Sequence, residues 1–92
     1  MKKSAKLVVV RTQSAGVHCG TLVSRKGQEV SLAGARRIWS WQGALSLHEV
    51  ASRGITGGKV SLPVKDILLT QAIEIIGASP EAMAKIASFE VK

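Results

Sequence analysis

Two guanidinium groups and two indoles fall within one short run of this chain, Arg36-Arg37-Ile38-Trp39-Ser40-Trp41. The 92 residues hold only three aromatics, two tryptophans and one phenylalanine, so the run is a concentration. Flat indole faces beside planar cations suit a ligand that carries flat bases and negative phosphates. In a strand, the period of two puts Arg37, Trp39 and Trp41 on one face, and Arg36, Ile38 and Ser40 on the other. A plainer role also fits, with both tryptophans filling the core of a small domain and the arginines snorkelling at its edge. Ser14-Ala15-Gly16, a compact turn, can present backbone N–H groups and the Ser14 hydroxyl to a phosphate.

Groups for catalysis are scarce. Asp66 is the single aspartate, and one cysteine with two histidines makes a poor stock of metal ligands. His18 and Cys19 are adjacent, and neighbours in a strand point to opposite faces, so they form no dyad. His18 reads as an ordinary half-exposed residue and Cys19 as a small core hydrophobe. His48 and Glu49 belong to a helix start, where Glu49 reads as a cap. The run Gly54-Ile55-Thr56-Gly57-Gly58 follows a helix and precedes a strand, the reverse of a phosphate-binding loop. The expectation is a binder, with no catalytic residue, no metal and no cofactor.

The net charge of +7 is unevenly placed. Residues 1–59 carry ten Lys/Arg against two Glu, whereas residues 60–92 carry three Lys against four acids. The basic half also holds the tryptophans, and a field of that sign attracts anionic partners. An apolar content of 46% excludes intrinsic disorder. In so small a chain it also suggests that apolar surface continues into a subunit interface. The apolar run Leu7–Val10 is too short for a secretory or membrane segment, and Arg11 interrupts it, so a cytosolic protein is expected.

The elements that must position these groups read as α+β, a single domain over residues 1–92 with residues 1–5 flexible. The expected architecture is a small antiparallel meander with two short helices. Strands are predicted over 6–12 and 17–24, with a glycine turn at Arg25-Lys26-Gly27. Strands over 29–32 and 36–41 follow, separated by a bulge or turn at Ala33-Gly34. Ser46 caps a helix that continues through Arg53 and stops at Gly54. Residues 54–58 read as a flexible connector. Residues 59–64 read as an edge strand because Pro63 cannot donate to a ladder. Residues 67–76 form the clearest strand. Ser79-Pro80-Glu81 opens a second helix with Ala82, Met83, Ile86 and Phe89 as its apolar positions.

The chain resembles a family of small proteins of tailed phages and prophages, long catalogued as a domain of unknown function. The residues that carry the resemblance are Val10-Arg11-Thr12, Ser14-Ala15-Gly16-Val17, Ala35-Arg36-Arg37-Ile38-Trp39, Trp41, Gly43-Ala44 and Ser46-Leu47. Leu69-Thr70 and Ala72-Ile73-Glu74-Ile75-Ile76 complete the pattern, which spans roughly residues 8–84. Gln13 and Ser40 depart from it, since an aromatic is usual at both positions, and this leaves fewer stacking groups. The resemblance implies an anti-CBASS sponge, an oligomeric protein that binds cyclic oligonucleotide signals of bacterial immunity without altering them. It places the protein in the host bacterial cytoplasm as a homo-oligomer, dimer or tetramer, with a cyclic dinucleotide such as a cGAMP-like molecule as ligand. The implied ligand-binding set is Arg11, Ser14, Ala15, Gly16, Arg36, Arg37, Trp39, Trp41 and Ser46. A basic nucleic-acid-binding phage protein is the rival reading, although no predicted helix carries several cations suited to a major groove. A structural component of a phage particle is a third.

Overall fold

Three consecutive valines, Val8, Val9 and Val10, are wholly buried, so the strand that holds them is covered on both faces. A computed structural model of the protein describes residues 6–13, 16–44 and 46–90. The expectation of flexible residues 1–5 therefore lies outside the described residues. The valine strand, β1 (Lys6–Thr12), lies between β2 (Val17–Lys26) and β6 (Ala72–Gly77), antiparallel to each. β2 turns at Gly27, whose φ of 60° suits glycine, into β3 (Glu29–Gln42).

The far edge of β3 is long enough for two partners. Its first half pairs with β5 (Val64–Leu69) and its second half with β4 (Gly57–Val60). Only Thr70 and Gln71 separate β5, which sits on β3, from β6, which sits on β1. The six-stranded antiparallel sheet therefore curls until its pairings close through that short link. Val8, Val10, Val30, Leu32 and Leu69 fill the inside of the curl. Val9, Cys19, Ile38 and Val60 face the other way, onto α1 (Leu47–Arg53) and α2 (Pro80–Ala87). The class is α+β, with strands dominating.

Both helices start at the predicted serine caps. Ser46 Oγ accepts from the Glu49 N–H at 3.4 Å, and Ser79 Oγ accepts from the Ala82 N–H at 3.0 Å. α1 stops at Gly54, which takes φ 82° and donates its N–H to the Val50 carbonyl at 2.9 Å.

Four expectations need correction. Residues 29–42 form one strand rather than two, because Gly34 (φ 60°) absorbs the irregularity as a bulge without ending the pairing. Residues 67–76 form two strands, because a straight segment cannot pair with β3 at one end and β1 at the other. Residues 59–64 are not one strand: β4 ends at Val60, β5 begins at Val64, and Pro63, without an N–H, lies between. Residues 54–58 are no flexible connector, since Gly54 and Ile55 are buried and Gly57-Gly58 open β4.

Candidate functional site

The site is made by a slip in register. β3 follows β2 through the pairs Cys19↔Arg36, His18↔Arg37 and Val17↔Ile38. On its other side it pairs Ile38 with Val60 but Ser40 with Lys59, so Trp39 is an extra residue opposite β4. Such a bulge resets the alternation. Ile38 and Trp41 therefore share the face under the helices, and Trp41 packs partly buried on that core. Trp39 is left with Arg37 on the opposite face, 56% exposed. The expected grouping of Arg37, Trp39 and Trp41 on one face is thus wrong for Trp41.

Arg37 and Trp39 line a pocket of about 190 Å³ together with His18, Ala35, Ser61, Val64 and Ile67. The main chain beside Arg37 is locked to Ser61: the Arg37 N–H donates to Ser61 Oγ at 2.8 Å, and the Ser61 N–H donates to the Arg37 carbonyl at 2.9 Å. The Arg37 side chain donates through Nε to His18 Nε2 at 3.3 Å. Its two η nitrogens have no partner among the described residues. The result is a polar floor of imidazole, guanidinium and hydroxyl, with an open indole and aliphatic walls. It can stack one flat ring and grip one anion.

His18 is 2% exposed, not half-exposed as expected, because it faces the inside of the curl beside its β1 partner Val10. Burial lowers its pKa below 6.5, and the nearby Arg37 cation lowers it further. It is neutral at pH 7. The unfolded chain therefore takes up this proton first on acidification. The stability that His18 contributes is complete above about pH 6.5 and is lost as the pH falls from there through the folded-state pKa. We expect urea-denaturation free energies to decline over that window and the decline to be shallower in His18→Gln. Equal slopes in the two proteins would contradict this assignment.

The other expected site residues lie elsewhere. Arg36 points to the helix side, where it donates to the Ser61 carbonyl at 3.2 Å and sits 3.5 Å from the Glu90 carboxylate. It tethers the segment after β4 to the end of the chain and is not at the pocket. Arg11 is exposed on β1, 3.9 Å from Glu74 of β6, and does not line the pocket. Ser46 is occupied as a helix cap. Gly16 closes the β1–β2 turn, accepting from the Thr12 N–H at 3.0 Å and from Thr12 Oγ1 at 2.7 Å. Ser14 and Ala15 lie outside the described residues.

Sequence reasoning missed His18 and Ser61 as pocket residues. Alternation placed His18 opposite Cys19, and the cross-strand partnership with Arg37 was the signal to follow. Ser61 carried none. Cys19 is buried as expected, and burial pushes its thiol up to about 11, so it is inert at neutral pH. Among the described residues no cluster of His, Cys, Asp and Glu could hold a metal ion, and no helix is long and apolar enough to cross a membrane.

The family described as a domain of unknown function, DUF6948, matches residues 5–86, and the chain belongs to it. No curated protein and no solved structure matches the chain.

Proposed function

We propose that this member of the DUF6948 family is a non-enzymatic phage protein that sequesters cyclic oligonucleotide messengers of bacterial anti-phage defence. The observation that carries the reading is one pocket with an exposed indole, Trp39, beside a guanidinium, Arg37, whose η nitrogens have no partner among the described residues. A base stacked on an aromatic contributes roughly 1–3 kcal/mol. A charge-assisted bond from arginine to phosphate adds about 1.5–3 kcal/mol. The pocket of about 190 Å³ is smaller than the usual ligand cleft, about 300–1,000 Å³, and suits a single nucleotide unit. A cyclic dinucleotide then engages two pockets, which a dimer, or a tetramer built from dimers, supplies. Exposed apolar residues at the pocket and beside it, Trp39, Leu62 and Val64, fit such an assembly.

The rival, a DNA- or RNA-binding protein, gains little from α1, whose single arginine is taken up by Glu49 at 2.7 Å. A thermal-shift panel of cyclic di- and trinucleotides against short oligonucleotides separates the two. At a ligand concentration of a hundred times Kd, binding stabilises by about 2.7 kcal/mol, which raises the melting temperature by roughly 10–20 °C in a domain of this size. We expect that shift from a cyclic nucleotide, recovery of the nucleotide intact after denaturing the protein, and an oligomer mass by light scattering. A shift from oligonucleotides alone would favour the rival. Linearised product would make the protein an enzyme.

A further inference from the structure

We propose that His18 is the positioning residue of this pocket: as a neutral imidazole it accepts the Arg37 Nε–H, holds the guanidinium ready for an anion, and makes binding weaken on acidification. The inference rests on the reading of the pocket as a nucleotide site.

The hydrogen bond fixes the chemistry. An arginine Nε–H can only donate, so Nε2 of His18 is the acceptor at 3.3 Å. In the neutral ring the proton must then sit on Nδ1. That atom is buried and has no hydrogen-bond partner among the described residues. A buried donor left unpaired is costly, and an apolar residue at this position avoids the cost. What the imidazole supplies against it is one acceptor for Arg37. With the backbone held by Ser61 and Nε held by His18, the guanidinium has little freedom left. Its Nη1–Nη2 edge remains, a planar fork matched to two oxygens of one phosphate.

Acid undoes this arrangement. A protonated His18 turns Nε2 into a donor facing another donor, and two cations then lie in contact. The residues against His18 offer no relief: Val10 is its partner on β1, Arg37 its partner on β3, and Ser61, Val64 and Ile67 line the pocket with it. Arg37 is the charged group among these described neighbours, and none of the described residues that line the pocket is a carboxylate. The guanidinium must swing away, and the fork is lost. An ordinary basic site grips anions more tightly at low pH, so the expected sign is the reverse of the usual one.

The test is calorimetric titration of a 3′,3′-cyclic dinucleotide into the full chain between about pH 8 and about pH 5, a span in which histidine titrates and the phosphodiesters stay ionised. Wild type is compared with His18→Gln, whose amide oxygen still accepts but does not titrate, and with His18→Leu, which cannot accept. Wild-type affinity is expected to fall by about tenfold or more on acidification, the equivalent of one charge-assisted bond. His18→Gln should give a flatter profile and bind more tightly than His18→Leu at the alkaline end. Ligand-free melting curves establish which variants are folded. If His18→Leu is not folded, the wild-type and His18→Gln profiles decide. Wild-type affinity that holds or rises on acidification, or equal binding by folded Gln and Leu variants, overturns the proposal. Failure of the probe to bind at any pH overturns the nucleotide reading beneath it.

Discussion

Trp39→Ala is expected to weaken cyclic-nucleotide binding by about 1–3 kcal/mol, roughly 5- to 150-fold, and to leave ligand-free stability within about 0.5 kcal/mol of wild type. Trp41→Ala is expected to do the opposite. Trp39 stands 56% exposed at the pocket, so its removal deletes a stacking surface and opens little core. Trp41 packs on the core beneath the helices, where deleting a large side chain costs about 3 kcal/mol and lowers the melting temperature by more than about 10 °C. Titration and ligand-free melting on both variants test the pair. A Trp39→Ala protein that binds like wild type would make the indole a bystander. If instead it melts far below wild type, Trp39 has a structural role that its exposure does not suggest.

The same pair marks how far the sequence could be read. What short stretches decide was legible: the valine run of β1, the caps at Ser46 and Ser79, the turn glycine at Gly27, and the stop at Gly54. Each depends on residues within a few positions of one another. What distant partners decide was not. The bulge at Trp39 arises because β3 follows β2 in one register and β4 in another, and nothing in Ile38-Trp39-Ser40 alone signals that slip. The break at Thr70-Gln71 has the same origin, since β5 and β6 answer to different strands. His18 looked half-exposed because alternation gives its face but not the curl of the sheet that closes around that face. At the site, therefore, Arg37 and Trp39 were legible as chemistry, while the imidazole and hydroxyl that hold Arg37 were not. Arg36 could not be told from Arg37 for a related reason: its neighbour carries the same charge, and only the fold turns one inward to Glu90 and the other to the pocket.

Gly58→Ala is expected to cost about 3 kcal/mol and to weaken binding together with stability, because the bulge that separates the two tryptophans depends on this glycine. Gly58 pairs with Trp41 across β3–β4 and has φ 144°, a conformation that side chains rarely adopt. A Cβ placed there collides with the Ser40 carbonyl oxygen and stands 2.8 Å from the Trp41 Cα. Both are backbone atoms of β3 and cannot rotate aside. Backbone strain of about 1–3 kcal/mol adds to overpacking of about 1–3 kcal/mol. Relief requires β4 to move off β3, and β4 leads directly into Ser61, whose two bonds hold the Arg37 backbone. The damage should therefore reach the pocket, with affinity falling even at temperatures where the variant is fully folded. Gly77→Ala is the control, since a Cβ there meets nothing within 4 Å. Urea denaturation and titration of both variants test the argument. A Gly58→Ala protein as stable as Gly77→Ala would mean that β4 can leave β3 at no cost, and that the bulge does not fix Trp39 at the pocket.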